Sequence, residues 1–164
     1  MIACVDVDYR SDHAIAACVT FDDWTAAIPT GVTTVRIDSV EPYVSGQFYK
    51  RELPCLLTVL DAIADRLTFV IVDGYVWLGD NKAGLGAHLY DALDKRIPVI
   101  GVAKTAFRDA PSIEVRRGKA ARPLQITAVG IDLADAARHI ASMHGDYRLP
   151  SLLKLVDRAC RDAE

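Results

Sequence analysis

The hydrophobic pattern divides the chain into two halves of different character. Three stretches rich in β-branched and small apolar residues come first: Ile2 to Asp8, His13 to Phe21 and Val32 to Asp38. Turn-forming breaks separate them, Tyr9-Arg10-Ser11-Asp12 and Pro29-Thr30-Gly31, and the combination predicts an antiparallel meander. The period then changes. Apolar residues fall at Leu53, Leu56, Leu57, Leu60, Ile63 and Ala64, the spacing of one helix face. Pro54 stands near the start of that helix, where its missing N–H costs little. Thr68-Phe69-Val70-Ile71-Val72-Asp73 is a short apolar run closed by Gly74, as expected of a central parallel strand covered on both faces. A helix is predicted from Leu85 to Lys95, then a strand over Pro98 to Val102. Two weaker strands follow, Ile113 to Arg116 and Leu124 to Val129, and then helices over Leu133 to Met143 and Pro150 to Cys160.

Three antiparallel strands followed by helix–strand–helix–strand predict an α/β fold with a mixed, partly parallel sheet. That is the order of ribonuclease H-like folds, with right-handed crossovers placing helices on both sheet faces. The 164 residues suit a single domain, 1–164, and a domain of this size buries roughly 70% of the surface its unfolded chain exposes. A content of 51% hydrophobic and 25% charged residues excludes a disordered or collagen-like chain. No apolar run approaches the roughly 20 residues that span a bilayer, so no membrane partner is expected. The start, Met1-Ile2-Ala3-Cys4-Val5-Asp6, lacks the basic n-region of a signal peptide. Cys4, Cys18, Cys55 and Cys160 are scattered without CxxC spacing, which points to reduced thiols in the cytoplasm rather than a zinc knuckle. The net charge of −3 argues against indiscriminate coating of nucleic acid and leaves room for a local basic patch.

The candidate chemistry lies in the carboxylates. Asp6 interrupts the apolar strand Ile2-Ala3-Cys4-Val5-Val7, and Asp73 closes the other strongly apolar strand. A carboxylate so placed loses hydration, which is costly unless it is paired or bound to a cation. If the two strands are neighbours, about 4.8 Å apart, side chains at matching heights can share one ion. Asp73 also falls at a strand's carboxyl end, where open α/β sheets gather ligands. Glu52, at the entry to the first helix, supplies a third oxygen donor. Carboxylates without histidine or thiolate favour Mg²⁺ or Mn²⁺ over zinc, and such ions polarise a phosphodiester and activate water. The alternative for Asp73 is an ordinary turn or cap former; Asp8 shares the face of Asp6 as either an extra ligand or a solvated strand end.

Seven blocks, in order, resemble the endonuclease V family of ribonuclease H-like, metal-dependent nucleases that cut nucleic acid near a deaminated base, chiefly inosine. They are Val5-Asp6-Val7, Pro42-Tyr43-Val44-Ser45-Gly46, Phe48-Tyr49-Lys50-Arg51-Glu52, Val72-Asp73-Gly74, Gly84-Leu85-Gly86-Ala87-His88-Leu89, Ile100-Gly101-Val102-Ala103-Lys104-Thr105 and Tyr147-Arg148-Leu149-Pro150. The resemblance implies that Asp6, Glu52 and Asp73 are the catalytic, metal-binding acids, with Mg²⁺ or Mn²⁺ as cofactor. It implies that Tyr43 is the wedge that stacks on or splits bases, and that Gly46, Gly74 and Gly101 let backbone approach a flipped-out base; the alternative for the glycines is an ordinary turn. Lys104 would face phosphate, or else be a solvated strand-end lysine. The implied partner is DNA or RNA containing deaminated bases.

The departures from the family pattern are specific. The chain begins almost at the first strand, where family members usually carry a leading segment. Ser45 replaces a proline of the wedge block, and Gly79 replaces a histidine after the Asp-Gly pair. The Ser-Pro-Gly-His block reads Ile126-Thr127-Ala128-Val129, so Val129 can neither bind metal nor assist proton transfer. Asp8, Asp80 and Asp132 are candidates to compensate; Asp132 is equally suited to cap the following helix. These losses motivate the rival functions, a nuclease-fold module that binds nucleic acid or a protein without cutting, or a nuclease with another substrate. Two further features stay open. Lys104, Arg108, Arg116, Arg117, Lys119 and Arg122 form a local basic excess, either a phosphate-binding patch or a solvated loop. Trp77 either stacks on a base or anchors its loop.

Overall fold

Alternation of side chains across a pleated strand lets one sheet bury two separate cores, and this chain uses both faces. The computed structural model describes residues 1–164. The meander forms as β1 (Ile2–Tyr9), β2 (Ala14–Phe21) and β3 (Gly31–Ile37), antiparallel throughout. β4 (Phe69–Asp73) lies parallel to β1, and β5 (Val99–Ala103) parallel to β4. β7 (Leu124–Val129) returns antiparallel to β5, and β6 (Ile113–Val115) closes the edge, giving the order β3-β2-β1-β4-β5-β7-β6. This is the mixed, ribonuclease H-like α/β architecture expected of the sequence.

The helices are α1 (Tyr49–Leu60), α2 (Leu85–Ala92), α3 (Leu133–Ser142) and α4 (Ser151–Asp162). Odd positions of β1, Ala3 and Val5, join α1 and α2 in one core, while Ile2 and Cys4 face α3 and α4 in the other. β2 is apolar on both faces, as its run of buried residues from Ala14 to Val19 requires; β3, at the edge, stays largely exposed. The four cysteines are free and buried. No helix is long and apolar enough to cross a membrane.

Several helix boundaries differ from the sequence expectation, and three of them for a local reason. α1 begins a turn before Leu53, because the Phe48 carbonyl accepts from both Arg51 and Glu52 amides; Pro54 therefore lies inside the helix, exposed, and removes the bond to the Lys50 carbonyl. After Leu60 the chain tightens into a 3₁₀ turn, Asp61–Arg66, so Ile63 and Ala64 leave the helical phase. α2 stops at Ala92 rather than Lys95, since Asp94 and Lys95 adopt left-handed φ values of 55° and 58° and turn the chain back toward β5. The last helix runs on to Asp162.

α1 is held by Leu56 and Leu60, both essentially inaccessible to solvent. Leu56→Ala should cost about 2–5 kcal/mol of stability in urea unfolding; a loss below about 1 kcal/mol would contradict this packing.

Candidate active site

Parallel pairing of β1 with β4 matches Val5 with Val72, so the next residues, Asp6 and Asp73, stand side by side at the strands' carboxyl ends. Burial lifts the Asp6 carboxyl to about 6, and repulsion from Asp73 adds to it. One Asp6 oxygen accepts from the Val7 amide at 2.9 Å. Asp73 is half-exposed, and its Oδ2 meets the Lys104 ammonium, just past the end of β5, at 3.0 Å.

Glu52 arrives from the opposite face. The buried side of α1 is Glu52, Cys55, Leu56, Val59 and Leu60, so a carboxylate occupies a position that helix periodicity reserves for an apolar residue. It is 8% exposed and has neither a hydrogen-bond donor nor an ion-pair partner. Its pKa rises to about 8, first through burial and then through repulsion by Asp6 and Asp73. The adjacent Arg51 offsets this only partly; its guanidinium lies over the Tyr9 ring, 3.8 Å from the centroid.

Asp6, Asp73 and Lys104 line one small cleft together with Leu149 and Asp157. Its volume of about 20 Å³ is room for a single water-sized occupant. Asp157, on α4, adds to the repulsion that raises Asp6 and is paired with Arg161 at 2.9 Å. Sequence reasoning passed over it, although the signal was present: it follows Val156 and lies four residues after Leu153, at the border of a face made by Leu152, Leu153, Val156 and Cys160. Glu52 does not line this cleft, and no three His, Cys, Asp or Glu side chains stand close enough to form a finished metal cage. The donor set nevertheless fits a hard divalent ion. All donors are carboxylate oxygens, and one of them, Glu52, is buried without a hydrogen bond or ion pair and only partly offset by Arg51.

The sequence profile of the Endonuclease V family matches residues 1–130. The chain belongs to the Endonuclease V family. The Endonuclease V of Streptomyces coelicolor is 31% identical over 97% of this chain and 77% of its own length. The crystal structure of Endonuclease V from Streptomyces avermitilis superposes with a TM-score of 0.82 at 27% identity, covering 98% of this chain and 79% of that one. Endonuclease V of Ciona intestinalis, solved with a DNA 23mer containing inosine, shares the fold at a TM-score of 0.77 and 17% identity, over 98% and 83% of the two chains.

The remaining residues of the Endonuclease V blocks separate into those near the cleft and those apart from it. Gly101, in the middle of β5, packs so tightly that an added Cβ would come within 2.5 Å of the Gly74 carbonyl and 2.6 Å of the Thr127 hydroxyl. Gly74 has φ +129° with open space where a side chain would be, and Gly46 has φ +76°, also open. Tyr43 is 64% exposed and lines a separate surface groove with Arg10, Asp38 and Arg51. Trp77 anchors its loop, donating to the Ala128 carbonyl at 3.2 Å. Val129 ends β7 beside Val99.

The three acids that the sequence offers as compensating candidates have other surroundings. Asp132 caps α3, accepting from the Ala134 and Asp135 amides. Asp8 pairs with Arg10, whose guanidinium also grips carbonyls at the end of α4. Asp80 is an exposed turn residue. The basic segment is likewise divided: Arg117 is buried and donates to the carbonyls of Met143, Gly145 and Tyr147, and Arg116 donates to Ala121.

Asp6 and Glu52 hold protons in the folded state that the unfolded chain releases near pH 4–5, so stability in EDTA should fall as pH rises through this interval toward 8. Glu52→Gln should remove much of that fall, a gain over the parent on the order of 2–4 kcal/mol at pH 8 relative to pH 5. Equal pH profiles of melting temperature for parent and variant would refute the buried, unpartnered carboxylate. Gly101→Ala should cost about 1–3 kcal/mol by overpacking, read by urea unfolding.

Proposed function

We propose that this chain is a Mg²⁺- or Mn²⁺-dependent endonuclease that cuts a phosphodiester near deaminated bases in DNA or RNA, with Asp6, Glu52 and Asp73 holding the ion and Asp157 joining them. The observation that carries this reading is a group of carboxylates, drawn from two parallel strands and two opposing helices, whose mutual repulsion a bound cation would relieve without protonating them. A bound divalent ion supplies Lewis-acid polarisation of the phosphodiester and favours deprotonation of the attacking water.

The chain's own residues supply the rest. Asp6 is fixed in the centre of the sheet with one oxygen on the Val7 amide, and lines the cleft. Lys104 brings a positive charge beside Asp73, where it can neutralise a phosphate oxygen. Tyr43, with the exposed Val44 and Phe48 on the same loop, offers the apolar surface that separates or stacks on bases. Gly46 permits the left-handed turn of that loop. The open space beside Gly74 keeps its backbone approachable by a base, whereas at Gly101 the missing side chain admits the Gly74 carbonyl and the Thr127 hydroxyl, so that glycine serves packing within the fold and not contact with a base. The inosine-containing DNA held by the Ciona relative supports this choice of substrate. Asp157 weakens the rival reading of a non-cutting module, because an acid stands in the cleft although Val129 has replaced the histidine.

Wild type with Mn²⁺ should nick inosine-containing oligonucleotides, and Asp73→Asn should lower the rate by at least about 100-fold. No cutting by wild type, or equal cutting by both, would reject the proposal. Calorimetric titration with Mn²⁺ should show binding that Asp6→Asn and Glu52→Gln each weaken about tenfold or more; carboxylate-independent binding would count against these ligands.

A further inference from the structure

Beside the carboxylate cleft, and sharing Leu149 with it, runs an open groove of about 590 Å³ lined by Lys119, Asp146, Tyr147, Arg148 and Lys154. Three cations face one acid there, in a protein whose net charge is −3. Tyr147 stands at its centre, 70% exposed, with the Lys154 ammonium 4.8 Å from its ring centroid. An exposed ring between lysines is the pairing of stacking platform and phosphate contact that single-stranded nucleic acids use.

The loop bearing Tyr147 is held rigidly from below. Arg117, 6% exposed, sends its guanidinium into the carbonyls of Met143, Gly145, Tyr147 and Arg148. Gly118 turns at φ +58° directly against the Asp146 carbonyl, where a Cβ would have no room. A cation buried among backbone carbonyls, with Asp146 the carboxylate that favours its charge but no direct ion pair, is an expensive way to fix a loop, and what it fixes is an exposed aromatic side chain. Arg148 then ties the groove to the reaction site, donating to the carbonyl of Lys104 and, at 2.9 Å, to that of Pro123. Lys104 is the residue whose ammonium meets Asp73.

We propose that the groove of Lys119, Tyr147, Arg148 and Lys154 is a second anchoring subsite for a single-stranded stretch of the nucleic-acid substrate, with Lys119 and Lys154 on phosphates and one base stacked on Tyr147. It rests on the endonuclease reading for the identity of the ligand. It requires no deaminated base and no metal ion. The subsite lies on the α4 side of the cleft, away from the groove of Tyr43, so the two aromatic residues grip the strand at separate points.

The test is binding without chemistry. A fluorescein-labelled single-stranded oligonucleotide lacking inosine is titrated with wild type, Tyr147→Ala, Tyr147→Phe and Lys119→Ala/Lys154→Ala in EDTA over a range of salt concentrations. Melting temperatures confirm that each variant is folded. Tyr147→Ala should bind about tenfold more weakly with an unchanged salt slope, and Tyr147→Phe should bind as wild type. The double lysine variant should lose affinity and reduce the slope by about 1.4, the counterions of two contacts. Wild-type affinity and slope in all folded variants would overturn the subsite; a loss confined to the lysines would overturn the stacking contact. If wild type fails to cut inosine substrates with Mn²⁺ yet these binding losses appear, the endonuclease reading falls and the subsite stands. The reverse pattern separates them equally.

Discussion

Like charges brought together out of water are the constraint on which this structure turns. Asp6 is embedded in the sheet, Asp73 stands beside it across a parallel strand pair, and Glu52 is pressed down on the apolar face of α1. For Asp6 and Glu52 the arrangement opposes folding, since burial and repulsion from neighbouring carboxylates both disfavour the ionised form, whereas Asp73 stays half-exposed and paired with Lys104. The two cores on either side of the sheet offset that cost: the apolar neighbours Val5, Val72, Leu56 and Leu60 are almost wholly inaccessible. Stability of this order can hold a few carboxylates in an unfavourable place, and such strained charge is characteristic of functional sites.

The sheet topology is what makes the juxtaposition possible. A meander alone would separate Asp6 from any later strand. The crossover through α1 places β4 directly against β1, with Val5 level with Val72, and the carboxyl ends of both strands then open at one rim. The α1 crossover also carries Glu52, so one connection delivers two of the acids. α4 packs against β1 from the other face and contributes Asp157 to the same cleft.

Arginine serves as internal scaffold around this site. Arg10 fastens the end of α4 to β1, Arg117 organises the loop that precedes α4, and Arg148 reaches the Lys104 and Pro123 carbonyls. The planar guanidinium meets several carbonyls at fixed angles, which a lysine ammonium does with less geometric definition. Lys119 and Lys154 keep their charges at the surface, while Lys104 pairs with Asp73 at the rim of the cleft.

The residue pattern by itself determined the order of strands and helices and the ribonuclease H-like class, and it singled out Asp6 and Asp73 as candidates, because a carboxylate within an apolar strand is anomalous wherever that strand lies. Family blocks in the sequence also named Glu52 and Tyr43, though not their surroundings: exposed Tyr43 sits apart from the acids, and the depth of Glu52 follows from α1 beginning a turn early. Tertiary structure alone decided that Asp157 joins the cleft, that Asp132 and Asp8 are spent on a helix cap and an arginine, and that Arg117 is buried while Lys119 is free. The physical reason is range. Periodicity reports which side of an element is apolar, a property of neighbours along the chain, whereas convergence of charges depends on strand pairing and helix docking between residues as distant as Asp6 and Asp157.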